Sequence, residues 1–211
     1  MRDYIICDAP QGSDQWLADR AGKATGSRAR DVLAKVKSGE AATRANYRWQ
    51  IVIERLTGRP QESGFVNDAM KWGTEQEPYA RMAHETATGC MVQEAGFIYL
   101  PHLAYGCSLD GFVGKDGIVE YKCPNSKTHG EWLLAGELPS EHKPQILHNL
   151  LVTGREWCDF VSFDPRLPEN LRLFIVRYQR DEKEIVAYAN ELEKFMLEVD
   201  ALESQLRKRA A

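Results

Sequence analysis

Apolar and polar positions along this 211-residue chain follow first one period and then another, and each change of period marks an element. The last segment is the clearest. Between residues 181 and 209, Ile185, Tyr188, Leu192, Phe195, Met196, Val199 and Leu202 recur at helical spacing, which predicts a long amphipathic helix. Residues 46–56 carry the same period and are closed by Gly58 and Pro60. Ser13 can cap a short helix running to about residue 20, and Ser27 a second to about residue 37. A long helix is expected from near Asn67 to about Thr86, stopping by Gly89, with further helices near 127–135 and 141–153. Strand-like runs lie at about 90–99, 104–113, 118–123, 156–163 and 171–180. There is no repeat, low-complexity tract or interdomain linker. The expectation is one mixed α/β domain over residues 1–211: a central sheet, an N-terminal helical layer and a C-terminal helix.

One pair of strands carries chemistry. Gly114-Lys115-Asp116-Gly117 is a turn cluster between two β-favouring runs, so residues 108–124 read as a hairpin. Alternation puts Glu120 and Lys122 on one face and Val119, Tyr121 and Cys123 on the other. Folding back at the turn sets Asp110 opposite or diagonal to Glu120, within about 5–8 Å. Two carboxylates and an ammonium then meet at one place, as a catalytic site or as a solvated charged edge.

Composition bounds the reading without deciding it. At 43% hydrophobic, the chain can build a substantial core. There is no apolar run near 18 residues, and the opening Met1-Arg2-Asp3-Tyr4-Ile5-Ile6-Cys7-Asp8 is broken by charge, so neither a membrane span nor a secretory segment is expected. Five cysteines, odd in number and without C-x-x-C spacing, point to a reducing cytoplasm rather than to disulfides or a zinc or iron–sulfur site. Net charge is −4, but from Arg20 to Arg59 ten basic residues face three acidic ones, an excess of seven positive charges. That segment is either a local field for phosphate or a solvated basic face.

The motifs around the hairpin extend the pattern. Trp72-Gly73-(x3)-Glu77-(x2)-Ala80-Arg81 precedes it on a helix, and Gln145 follows it near the start of another. With Trp16-Leu17-Ala18-Asp19-Arg20, Thr25-Gly26-Ser27, Ser108-x-Asp110-Gly111, Glu120-x-Lys122-Cys123-Pro124 and Phe163-Asp164-Pro165-Arg166, the order resembles the lambda exonuclease (YqaJ-type viral recombinase) family of the PD-(D/E)XK nuclease superfamily. Two departures stand out: Leu147 replaces the second glutamine of the family's Gln-x-Gln, and Leu109 sits where proline is common.

The resemblance implies a restriction-endonuclease-like core and a metal-dependent 5′→3′ exodeoxyribonuclease. Such an enzyme digests one strand of duplex DNA from its ends, releasing 5′-mononucleotides and leaving 3′ overhangs for phage-type recombination. It implies Mg²⁺, or Mn²⁺ in its place, with two ions per site. A carboxylate set of Asp110, Glu120 and Glu77 without cysteine or histidine suits such hard cations. Asp110 and Glu120 would hold one ion with the Tyr121 carbonyl, and Glu77 a second. Lys122 would orient or deprotonate the attacking water, its pKa lowered by its cationic surroundings. Gln145 would clamp the water or the scissile phosphate. Spacing alone also allows Glu77 to pair with Arg81 one turn on.

The 5′-phosphate and DNA contacts implied are Arg20, Ser27, Ser108, Arg28 and Met70. Thr25-Gly26-Ser27 would open a helix with unpaired N–H groups, and Arg20 would offer a planar fork. Met70 is either a wedge at the terminal base pair or a core residue. The implied partners are double-stranded DNA ends, two further copies of the chain in a homotrimeric ring, and a single-strand annealing protein. The implied location is the cytoplasm of a bacterial host, with a phage or prophage gene. Other PD-(D/E)XK endonucleases or repair nucleases, or a non-catalytic DNA-end-binding module, are the competing readings.

Overall fold

Capping and turn chemistry set most element boundaries where the pattern predicts them. The computed structural model describes residues 4–61 and 67–209. Helix α1 (Asp14–Arg20) begins at Ser13, whose hydroxyl accepts from the Trp16 N–H. After strand β2 (Ala24–Thr25) comes a 3₁₀ turn, Gly26–Arg28, and the short helix α2 (Ala29–Val32). Here the expectation fails: Ser27 lies inside the 3₁₀ turn and caps nothing, and the helix ends at Val32, well short of residue 37. Helix α3 (Ala42–Thr57) ends at Gly58 in the left-handed conformation. Helix α4 (Asp68–Thr88) begins at Asn67, which accepts from the Met70 N–H, and ends at Gly89. Pro78 removes one rung of its backbone ladder directly after Glu77.

The strands form two mixed sheets. A five-stranded sheet, in the order β3 (Val92–Gln93), β6 (Gly111–Val113), β7 (Gly117–Lys122), β8 (Trp157–Phe163) and β9 (Leu173–Gln179), is the expected central sheet. A four-stranded sheet joins β1 (Ile5–Cys7), β4 (Phe97–Tyr99), β5 (Tyr105–Ser108) and β2. The strands expected at 90–99 and 104–113 are therefore each broken in two. The chain crosses between the sheets at Glu94-Ala95-Gly96 and again at Leu109-Asp110, and Asp110 sits in the second crossing.

Each face of the central sheet is covered. Val119 and Tyr121 of β7 pack with Ala80 of α4, Val113, Val161 and Phe163. Ile118, Cys158 and Phe160 point the other way, into the larger core built with α6 (Lys143–Thr153), α3 and α7 (Glu182–Arg209). Of the apolar set predicted for α7, Ile185, Tyr188, Leu192, Phe195, Met196 and Val199 are buried and Leu202 partly so. Helix α5 (Ser126–Ala135) starts at Asn125, which caps the Thr128 N–H. Period-2 alternation thus sends Glu120 and Lys122 towards α6, while α4 reaches the same end of the sheet from the opposite face.

Candidate active site

The hairpin of β6 and β7 pairs Gly111 with Val119, Phe112 with Ile118 and Val113 with Gly117, which carries Asp110 to the level of Glu120. Asp110 Oδ2 accepts a 2.6 Å hydrogen bond from the Tyr121 N–H. Lys122 Nζ donates to Glu120 Oε1 in a short ion pair. Gln145 Nε2 donates to the same oxygen at 2.6 Å, and Asn149 Nδ2 to Glu120 Oε2 at 3.3 Å. Glu120 itself is only 2% exposed, so its charge is met almost wholly by these three donors. Glu77 and Asp110 line a cavity of about 680 Å³ that opens where the two sheets part, together with Trp16, Glu94, Leu109 and Tyr121.

Electrostatics bind these groups into one unit. Burial and the Glu120 charge push the Asp110 carboxyl well above the ordinary carboxylate range, and Glu77 adds to the effect. Burial and then Glu120 raise Glu77 as well, against the pull of Lys122. For Lys122, burial works to lower the pKa, but Glu120, Asp110 and Glu77 outweigh it and hold the ammonium above its usual value. Among the protein's own groups the nearest charges are the carboxylates, so the lowering that the resemblance implies would have to come from bound cations. Arg81 bonds Glu85, Glu94 and the Val92 carbonyl rather than Glu77, which leaves Glu77 facing the cavity.

Among the described residues no three acidic, histidine or cysteine side chains stand close enough to hold an ion as they are. The carboxylates are engaged by Lys122, Gln145, Asn149 and the Tyr121 N–H instead. The donor chemistry nevertheless suits a hard divalent cation. All the candidate ligands are oxygens, and the burial and mutual repulsion that raise Asp110 and Glu77 are what a bound cation relieves.

A second group of residues lies beside the cavity. Arg20, 8% exposed, donates to Ser108 Oγ at 3.1 Å and stacks on Trp16 at 4.0 Å from the ring centroid. Strand β2 runs parallel to β5 with Thr25 beside Gly106, which brings the Thr25–Ser27 turn alongside Ser108. Thr25 Oγ1 and Ser27 Oγ lie 3.5 Å apart, and Ser27 is exposed. Arg28 turns elsewhere, to Asp31 and Gln50, with its guanidinium over the Tyr47 ring. Met70 is 52% exposed in the first turn of α4, so it is not a core residue.

Four of the ten basic residues of the segment are answered by acids of α7, with Glu40 of the segment itself adding to two of those pairs. Arg44 and Arg48 both pair with Glu40 and Glu198, Arg55 with Asp200 and Glu203, and Lys35 with Glu191. Part of the expected local positive field is therefore spent in locking α3 and its flank to α7.

Two features of the site escaped the motif reading. Asn149, one turn beyond Gln145, adds the third donor to Glu120, and a Gln-x-x-x-Asn spacing on one helix was the available signal. Behind β7, His84 joins the Tyr121 hydroxyl to Asp159, which Arg177 holds through two hydrogen bonds. Leu147, at the position of the family's second glutamine, is buried in the core and adds no donor to the site.

A mixed sheet with Glu120-x-Lys122 on one strand and Asp110 just before the strand paired with it, with Glu77 on one flanking helix and Gln145 on another, defines a nuclease core of the PD-(D/E)XK type. Within that class, the chain belongs to the YqaJ-like viral recombinase domain family, whose model matches residues 15–156. It is similar to the alkaline exonuclease LHK-Exo of Laribacter hongkongensis: identity is 39%, TM-score 0.84, and the match covers 94% of this chain and 98% of that one. A second structure, LHK-Exo in complex with dAMP, matches at 40% identity and TM-score 0.86 with the same coverage. A phage-related exonuclease from Haemophilus somnus 129PT shares the fold, at 16% identity and TM-score 0.64 over 90% of this chain and 96% of its own. No curated protein matches the chain.

Proposed function

We propose that this DNA nuclease is a metal-dependent 5′→3′ exonuclease that degrades one strand of a duplex from its end, releasing 5′-mononucleotides. The observation that carries the reading is the meeting of Asp110, Glu120, Lys122 and Gln145 at the sheet opening, two residues from an Arg20–Ser108 pair. Family membership and the likeness to an alkaline exonuclease support it.

Asp110, Glu120 and the Tyr121 carbonyl would hold one Mg²⁺ or Mn²⁺, and Glu77 a second. Bound there, the cations supply an activated water and neutralise the phosphate under attack. The side chains do the rest. Lys122, held as an ammonium beside Glu120, donates to the attacking water and fixes its approach. Gln145 orients Glu120 from one side, and its amide would clamp the attacking water or the scissile phosphate.

Arg20, Ser27 and Ser108 would grip the terminal 5′-phosphate. Ser108 and Asp110 are separated by a single residue, roughly 6–7 Å along an extended chain. A strand end gripped there presents its first phosphodiester to the carboxylates, which is the source of the polarity. Trp16, under the Arg20 guanidinium, lines the space where the terminal nucleotide would sit. Duplex ends are the proposed substrate, with a trimeric ring of this chain and a single-strand annealing protein as its assembly and partner. Exposed Met70 would be the wedge at the end of the duplex. No helix among the described residues is long and apolar enough to cross a membrane.

The test is incubation of linear duplexes of defined ends with Mg²⁺. Loss of the 5′-labelled strand as mononucleotides supports the proposal. Internal cuts would favour an endonuclease, and binding without cleavage an end-binding module.

A further inference from the structure

Glycine at position 26 is not there for its backbone. Its φ lies outside the left-handed range, so any residue could adopt the conformation. What forbids a side chain is Asn149: a Cβ on Gly26 would lie 2.3 Å from Asn149 Oδ1. The same asparagine reaches the other way, donating from Nδ2 to Glu120 Oε2 at 3.3 Å. One buried amide, 1% exposed, thus touches both the carboxylate expected to bind metal and the turn expected to grip the 5′-phosphate.

The orientation of that amide is dictated by Glu120. A carboxylate accepts and cannot donate, so only the Nδ2 side can face it. Oδ1 is left buried against Gly26 without a hydrogen-bond donor among the described residues. An unmet buried acceptor costs stability, and an alanine or serine would avoid most of that cost. A residue kept only for packing has no reason to carry it.

We propose that Asn149 is a positioning residue: it holds Glu120 for metal binding and, through its contact with Gly26, sets the Thr25–Ser27 turn against the same carboxylate. The inference rests on the nuclease reading above. It assigns to Asn149 the spacing between the phosphate grip and the metal carboxylates.

The test uses the full chain and two readouts. Mn²⁺ binding is followed by titration calorimetry without DNA, and the ratio of cleavage rates on 5′-phosphate and 5′-hydroxyl ends is measured with Mg²⁺. Removing a group that orients a metal ligand commonly weakens metal binding by about 10–100-fold. Asn149→Ala should show a loss of that size and move the end preference towards parity. Gly26→Ala should do the same, although Gly26 touches no carboxylate, because the new Cβ displaces the amide. The double variant should be no worse than Asn149→Ala, since without the amide the Cβ meets no Oδ1. Should Asn149→Ala fold poorly, Asn149→Ser, too short to reach Glu120, should behave as predicted for the alanine.

Wild-type Mn²⁺ affinity in a folded Asn149 variant would overturn the inference, as would losses that multiply in the double variant. A purely structural asparagine would lower the melting temperature and leave metal affinity and end preference unchanged. Failure of the unmodified chain to bind Mn²⁺ would overturn the nuclease reading itself, and this inference with it.

Discussion

Asp110 and Glu120 stand level with each other across the β6–β7 hairpin, yet they are reached by different routes. Glu120 belongs to the strand, whereas Asp110 lies in the gap where the chain passes from one sheet to the other. That gap lets the Asp110 carboxylate fold onto the Tyr121 N–H, where it lines the cavity with Glu77 while Glu120 stays buried behind it. Burial first, and then the Glu120 charge, raise the pKa of Asp110.

A stability–activity split follows. Asp110→Asn and Glu120→Gln should each reduce cleavage by at least about a hundredfold, since each removes a charge that metal-assisted hydrolysis needs. In EDTA, Asp110→Asn should melt at the same temperature as the unmodified chain or higher, because it relieves a buried like-charge contact. Cleavage and thermal melting measured side by side decide the matter. Near-normal cleavage, or collapse of the fold in both variants, would make the hairpin structural.

Much of this arrangement was legible in the sequence. Alternation put Glu120 and Lys122 on one face, and helical spacing found the buried side of α7 almost residue by residue. The breaks at Glu94–Gly96 and Leu109–Asp110 were not legible, because the runs on either side of each read as continuous strand. Strands β1 and β2, at three and two residues, are too short to carry a period. Asn149 was hidden inside the apolar run from Ile146 to Val152, where neighbours outweigh a single amide. The pairing of Arg44 and Arg48 with Glu198 joins positions about 150 apart in sequence, which no local pattern can reveal.

Acid should weaken the fold through His148. Its ring is fully buried between the Tyr188 hydroxyl and the Gly106 carbonyl, and burial pushes its pKa down to about 4. The unfolded chain takes up this proton near pH 6.5, so between about pH 6.5 and 4 it binds more protons than the native state. Stability from this group is complete above that window and falls as pH drops through it, by on the order of 3 kcal/mol in all. His142, also lowered to about 4, chiefly by burial and then by Lys122, acts in the same direction. The raised carboxyls of Asp110 and Glu77 act in the opposite direction on acidification, so the histidine contribution is read as the difference in melting temperature between the unmodified chain and a His148 variant across this pH range. His148→Gln should lose less stability on acidification than the unmodified chain, and a difference that stays constant with pH would contradict the assignment.

Arg20 should govern which ends are digested. A charge-assisted phosphate contact is worth about 1.5–3 kcal/mol, so 5′-phosphate ends should be preferred by roughly ten- to a hundredfold over 5′-hydroxyl ends. Arg20→Gln should erase most of that preference while slowing hydroxyl ends far less. Competition between the two duplexes in one reaction reads the ratio directly. Equal rates for the unmodified chain, or a preference that survives in Arg20→Gln, would remove Arg20 from the grip.

The most direct measurement follows one blunt duplex, 5′-phosphorylated and labelled on one strand at its 5′ end or its 3′ end, in EDTA, Mg²⁺ or Ca²⁺. The account predicts no reaction in EDTA and full activity on adding Mg²⁺. With Ca²⁺, whose looser coordination positions water poorly, DNA should bind with little turnover. In Mg²⁺ the 5′ label should appear at once as a mononucleotide, while a 3′ label stays on a strand that shortens from its other end. Robust cleavage after complete chelation, or early release of the 3′ label, would contradict a metal-dependent 5′→3′ exonuclease.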